Sequence, residues 1–216
     1  MNYLSFDVGI KNLAYCELTP EKKIKQWGIL NMNDDPICQM TKRKKCEKQA
    51  SYLVNKESYY CSAHSKEFTK KKKLNTNRDL FKLSQNCIRE LNSIDLTNIS
   101  YILIENQPAL KNPTMKSIQM IIYTFFINNG VMNNESPISE VHMINARNKL
   151  KVYKGEPIEC DIKDKYKKNK YLSVVYTTEM IGDESDEMKQ LYHESKKKDD
   201  LADAYLQGIY YIDTLT

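Results

Sequence analysis

The chain has 216 residues, 41% of them apolar, and a net charge of +5. That suffices for one domain with a real core, and no apolar run is long enough to span a bilayer, so no membrane partner is expected. Six glycines are too few for a fold built on several phosphate-binding glycine loops; six cysteines without a secretion signal point to a reducing compartment, where paired cysteines hold metal more often than they form disulfides.

Residues 2–8 and 12–18 read as antiparallel strands joined by a tight turn. The first apolar run ends on Asp7, and Gly9 lets another backbone or a phosphate come close. A carboxylate at that position is costly unless it is solvated, hydrogen-bonded or bound to a cation. Taken alone, Asp7 reads equally well as a turn cap. The first strand begins so early that no signal or transit peptide is expected before it. Lys23 to Leu30 reads as a third strand anchored by Trp27, Ile29 and Leu30, and Asn31 to Asp35 as a polar turn.

From Pro36 to residue 75 the composition changes. Lysine dominates, apolar periodicity fades, and Cys38, Cys46, Cys61 and His64 appear with spacing C-x7-C, then x14, then C-x2-H. Zinc favours thiolate and imidazole in a tetrahedron, and C-x2-H supplies two ligands from one tight knuckle. The insert is therefore expected to hold a structural zinc ion, the alternative being free cysteines in a loop. Cys16 and Cys87 fall in apolar patterns and read as core packing. The run Lys70, Lys71, Lys72, Lys73 reads either as a solvated linker or as a phosphate contact.

Asn77 to Leu91 carries Leu80, Leu83, Cys87 and Leu91 at helical spacing, with Thr76 or Asn77 as cap. Ser100 to Glu105 is a near-continuous apolar run, the mark of a strand buried on both faces, and it too ends on a carboxylate. Pro113 opens a helix through Phe126; Ile138 to Ile144 reads as a strand; Asn145 to Lys168 is a long polar connection. Lys170 to Ile181 reads as a helix, Gly182 to Glu187 as an acidic loop, and Asp199 to about Ile212 as an apolar closing helix.

In that closing helix Asp200 and Asp203 share a face. Acids in a first turn are favoured by the helix dipole, which accounts for Asp199 and Asp200 but less well for Asp203. With strands one and four as neighbours in a mixed sheet, Asp7 and Glu105 would sit side by side with the closing helix laid across them. Four carboxylates so close repel one another, and a pair of divalent cations is their natural counter-charge.

Three segments carry a family resemblance: Phe6-Asp7-Val8-Gly9-Ile10-Lys11-Asn12, Ile104-Glu105-Asn106-Gln107-Pro108 and Lys198-Asp199-Asp200-Leu201-Ala202-Asp203-Ala204. In order and spacing they resemble the RuvC-like Holliday junction resolvases of poxviruses, other large DNA viruses and yeast mitochondria. The resemblance covers residues 2–31 and 76–213 and omits the Cys/His insert, which is similar to short cysteine–histidine modules of giant-virus proteins. It implies an α/β, ribonuclease H-like fold over residues 1–216: a mixed five-stranded sheet, three antiparallel strands then two parallel, flanked by helices.

The resemblance also implies Asp7, Glu105, Asp200 and Asp203 as ligands of two Mg²⁺ or Mn²⁺ ions, with Lys170, or failing that Lys168, near the scissile phosphate. It implies a homodimer through Met115 to Ile127, acting on four-way or branched DNA by symmetric phosphodiester hydrolysis. Lys11, Asn12, Lys70 to Lys73, Lys167 and Lys168 would meet the DNA backbone. The expected setting is viral: the cytoplasmic factory or nucleus of a host cell. Other readings are a ribonuclease H-fold nuclease with a broader branched-DNA or RNA–DNA range, a non-catalytic junction- or RNA-binding module, and a sugar- or acetate-kinase-like ATPase. The last needs more glycine and a second such domain.

Overall fold

A computed structural model describes residues 1–32, 36–74 and 79–215. Three antiparallel strands open the chain: β1 (Asn2–Asp7), β2 (Asn12–Leu18) and β3 (Ile24–Asn31). Short strands β4 (Tyr52–Val54), β5 (Ser58–Tyr60) and β6 (Lys71–Lys73) form a separate sheet within the insert, ordered β5-β4-β6. Then come α1 (Leu80–Leu91), β7 (Ile99–Glu105), α2 (Pro113–Phe126), β8 (Glu140–Ile144), α3 (Lys165–Met180), α4 (Asp186–Glu194) and α5 (Lys198–Asp213). The main sheet runs β3-β2-β1-β7-β8, with β7 parallel to both β1 and β8. This is the expected mixed five-stranded sheet of the ribonuclease H-like fold.

Strand alternation divides the core into two layers. Leu4 and Phe6 of β1, with Ile102 and Ile104 of β7, face α1 and α2, where Leu83, Cys87, Ile118, Ile122 and Phe126 are buried. Tyr3 of β1 and Leu103 of β7 face the opposite way, toward Leu201, Ala204, Tyr205 and Ile209 of α5. By the same parity Asp7 and Glu105 point to the α5 side. Phe6 pairs with Ile104 across the parallel ladder, so the two acids are the next step of one register. Gly208 lets α5 lie close on the sheet, since a Cβ there would come within 2.6 Å of Leu18 Cδ1 and 3.2 Å of Ser5 Cβ.

Several boundaries differ from expectation. The proposed cap at Thr76 or Asn77 lies outside the described residues, as does most of the turn before residue 36. Helix α1 starts at Leu80, capped by Asp79, whose carboxylate accepts from the backbone N–H groups of Phe81 (3.0 Å) and Lys82 (3.3 Å). Helix α3 starts at Lys165 rather than Lys170. Its first turn is lysine-rich and shows no apolar stripe, and Asp164 caps it by accepting from Lys167 N–H at 2.8 Å. Helix α4 follows the acidic loop, where no helix was expected. Ser185 caps it, and its Tyr192 is fully buried, stacked on Trp27 at 5.0 Å between ring centroids. The polar connection after β8 contains a 3₁₀ turn, Ala146–Val152, which packs against α5.

Candidate active site

The parallel strands β1, β7 and β8 bring their carboxyl ends to one edge of the sheet, the place where open α/β sheets present their ligands. A cleft of about 510 Å³ opens there. Asp7 comes from the end of β1 and Glu105 from the end of β7; Asp200 and Asp203 come from α5. The four acids picked from the sequence thus line one cleft. Gly9 turns the chain beside them. Its φ is not positive; the need for glycine is space, because a Cβ would lie 2.4 Å from the carbonyl oxygen of Asn12. Lys11 and Asn12 also line the cleft.

Buried polar contacts fix this arrangement. Gln207, one turn beyond Asp203, donates to Ser5 Oγ at 3.1 Å and to the Phe6 carbonyl at 3.2 Å, locking α5 to β1 beside Asp7. Gln107 donates from its side chain to Glu105, and its backbone N–H donates to Gln119 Oε1 at 2.8 Å. The segment after β7 therefore orients Glu105 instead of merely leaving the strand. Trp27 Nε1 donates to the Leu201 carbonyl at 3.1 Å, holding the first turns of α5 against the sheet.

Besides Lys11, three lysines line the cleft: Lys149, Lys170 and Lys197, the last 3.5 Å from Asp200. Lys170 of α3 pairs with Asp199 and stands 4.0 Å from Asp200. Burial opposes its charge, but Asp199 and Tyr166 hold its pKa above the usual lysine range. Lys168, the second choice, does not line the cleft, and neither does Lys167. Lys149, in the 3₁₀ turn after β8, pairs with Asp203. Burial disfavours its charge, yet Asp203, Asp7 and Glu105 together raise its pKa. Neither Lys149 nor its neighbour Arg147, which also lines the cleft, was picked from the sequence. The signal was topological: the residues that follow a strand parallel to β7 must leave it at the same sheet edge.

The donor set suits a divalent cation. Burial first, then Glu105 and Asp203, push the Asp7 pKa well above the carboxylate range, against the pull of Lys149. Burial likewise raises Glu105, with Asp203 adding to it and Lys149 opposing it. Asp203 Oδ1 is buried with no hydrogen-bond partner. Burial and then Asp199 raise Asp200. Oxygen donors crowded this way, one of them orphaned, match hard cations such as Mg²⁺ or Mn²⁺.

The remaining picked residues lie in the insert. The ligand atoms of Cys38, Cys46, Cys61 and His64 all lie within 4.8 Å of one another. Lys71, Lys72 and Lys73 form β6, and Lys70 borders the same concave patch as Lys56, Lys71 and Lys72. Lys71 is partly committed: its Nζ donates to the Ser65 carbonyl at 2.9 Å and sits 5.5 Å from the Tyr52 ring centre.

Comparison with known proteins agrees with this geometry. Residues 3–109 match the family described as mitochondrial resolvase Ydc2 / RNA splicing MRS1. A relative from Acanthamoeba polyphaga mimivirus, uncharacterized protein L451, is 32% identical over 94% of this chain; the chain spans 60% of that relative's length. The yeast mitochondrial Holliday junction resolvase Ydc2 superposes with a TM-score of 0.54 at 16% identity, covering 97% of this chain and 78% of that one. The fowlpox virus Holliday junction resolvase gives 0.53 at 17% identity over 99% of both chains. The resemblance read from the three acidic motifs therefore holds for the fold as a whole.

Proposed function

We propose that the chain is a structure-selective endonuclease that resolves four-way DNA junctions by paired, metal-dependent hydrolysis of phosphodiesters. The observation that carries this reading is the convergence of Asp7, Glu105, Asp200 and Asp203 at one sheet edge, with a buried orphan oxygen on Asp203, in a fold shared with resolvases. Those four residues would hold two Mg²⁺ or Mn²⁺ ions. When bound, such ions supply an activated water and offset charge on the leaving 3′ oxygen.

The chain's own residues do the rest. Gln107 keeps Glu105 aimed into the cleft, and Gln207 keeps Asp203 and Asp200 over β1. Lys170, held charged by Asp199, faces the phosphate and stabilises charge that builds on it in the transition state. The Gly9 turn leaves room for the nucleic acid backbone, with Lys11 and Asn12 as its first contacts. Lys167, Lys168 and the run Lys70 to Lys73 add phosphate contacts that give affinity without sequence readout.

A four-way junction offers two symmetric cuts, and a two-fold protein presents two sites. The outer face of α2 supplies an apolar patch for a second copy. Met120, Ile121, Thr124 and Phe125 line a groove with Ile88 of α1, and Met120 and Ile88 are each about two-fifths exposed. This work would take place in an infected host cell, in the cytoplasmic factory or the nucleus; similarity to a mimivirus protein supports a viral setting.

The family description couples a resolvase with an RNA splicing protein, which favours one other reading, a non-catalytic RNA-binding module. Retention of all four acids argues against it. Side-by-side incubation of a synthetic four-way junction, a flap, an RNA–DNA hybrid and a plain duplex with Mg²⁺ tests the choice. Paired cuts at symmetric positions in the junction support the resolvase; binding without cutting any substrate refutes it.

A further inference from the structure

We propose that Cys38, Cys46, Cys61 and His64 hold a structural zinc ion, and that this ion folds residues 36–74 into an arm presenting the chain's positive charge to nucleic acid. The zinc site stands on its own geometry; the arm's role rests on the nucleic-acid reading above.

The ligand atoms converge within 4.8 Å of one another, and two of their separations match a tetrahedral site. His64 Nδ1 lies 3.4 Å from Cys38 Sγ and 3.5 Å from Cys61 Sγ. With Zn–S bonds of about 2.3 Å and Zn–N bonds of about 2.0–2.1 Å, the sulfur-to-nitrogen edge of a tetrahedron is about 3.6 Å. The backbone delivers the ligands from two knuckles. Cys38 and Cys46 flank the tip of a hairpin, with Cys38 N–H donating to the Lys48 carbonyl at 2.8 Å, Cys46 N–H to the Met40 carbonyl at 3.0 Å, and a bridge pairing Thr41 with Lys45. Cys61 directly follows β5, and the turn in which Ser65 N–H donates to the Cys61 carbonyl at 2.9 Å carries His64 round to face it. All three cysteines are unpaired, and a disulfide between any two would leave the third and the histidine without purpose. Three thiols and one imidazole are a soft donor set that suits zinc. Binding releases three thiol protons, and the ion with three thiolates carries one net negative charge.

The insert needs the ion. Its buried apolar side chains, apart from the ligands, are Ala50 and Val54, and it contributes no residue to either core cluster among the described residues. Two small side chains cannot offset the entropy of ordering so long a segment. Charge says what the folded arm is for. Residues 36–74 carry eleven Lys and Arg against three Glu, so the rest of the chain is on balance acidic although the whole is +5. Lys56, Lys70, Lys71 and Lys72 converge on one concave patch, built where the β4–β5 hairpin turns through left-handed Asn55 and Lys56. A dense cationic patch on a metal-held scaffold fits a phosphate backbone.

The test uses the full chain. Metal analysis of purified protein is expected to give close to one zinc per chain, and a Cys61→Ser variant to lose it. Trp27, the single tryptophan, sits in the core and reports core folding separately. Its fluorescence is expected to be unchanged in Cys61→Ser, while trypsin cuts the insert at least tenfold faster. Affinity for a labelled duplex, measured without Mg²⁺, is expected to fall at least tenfold, with a shallower salt dependence. Junction cleavage in Mg²⁺ reports the nuclease reading separately, so failure of that reading stays distinguishable from failure of this one. Absence of zinc, or unchanged trypsin cleavage of Cys61→Ser, overturns the metal site. Unchanged duplex affinity in a zinc-free variant overturns the arm's role.

Discussion

At the scale of single residues, the cleft is a set of charges held against their own repulsion. Asp7 and Glu105 both have pKa values raised first by burial; Glu105 and Asp203 add to that at Asp7, and Asp203 adds to it at Glu105, while Lys149 opposes it at both and Asp7 opposes it at Glu105. The two carboxyls therefore ionise at lower pH in the unfolded chain than in the metal-free fold. Their contribution to stability is fully present below the ordinary carboxylate range and is lost as pH rises through the raised values. Thermal melts in chelator are expected to show a midpoint that falls, as pH rises above the ordinary carboxylate range, by at least about 2 °C, the change one kcal/mol makes in a chain of this size. Asp7→Asn should flatten that slope, and an unchanged slope would show that the pair is not its source. Lys149 is the balancing charge. Removing one partner of a buried ion pair costs roughly 3–5 kcal/mol, so Lys149→Met is expected to lower the midpoint of metal-free protein sharply and to recover much of it on adding Mg²⁺. A midpoint that Mg²⁺ does not move would argue that the acids do not take up the cation.

At the scale of elements, α5 decides whether the acids meet. It carries Asp200 and Asp203 and lies close on the sheet where position 208 has no side chain. Overpacking a close contact typically costs about 1–3 kcal/mol. Gly208→Ala is expected to destabilise by that order and to depress cleavage beyond what the lost stability explains, measured at a temperature where the variant is fully folded; full activity there would separate α5 placement from catalysis. The elements legible in the sequence were those whose patterning had one cause. β1 and β7 ended in acids after apolar runs, α2 opened with a proline, and the Asp200/Asp203 face stood beside an apolar stripe. The rest had no such mark. The start of α3 is a lysine run with no buried face, α4 is short and follows acidic loop residues, and Lys149 sits in a polar connection whose place at the site comes from strand order rather than from its own neighbours. Lys170 could be picked because a family pattern pointed near it, and Lys168 differs from it by half a turn of helix.

At the scale of the molecule, the chain divides its labour. A ribonuclease H-like body, acidic on balance, holds the carboxylate cleft, and a lysine-rich insert carries most of the surplus positive charge. In the proposed dimer the exposed apolar face of α1 and α2 would meet a second copy, and paired cutting would depend on that copy. Met120→Glu places a charge in the middle of this face, where Met120 is already partly open to solvent. Sedimentation is expected to show monomers in place of dimers, and junction cleavage to give single nicks in place of paired cuts; a variant that stays dimeric would move the interface elsewhere.

The central claim is that four acids gathered from β1, β7 and α5 form one metal-dependent hydrolytic site. The most direct measurement is cleavage of a synthetic four-way junction in Mg²⁺ by the native chain and by folded Asp7→Asn and Asp203→Asn variants. Paired symmetric cuts by the native chain are expected, with a loss of about a hundredfold to a thousandfold in rate for each variant. Variants that cut the junction at the native rate would contradict that claim.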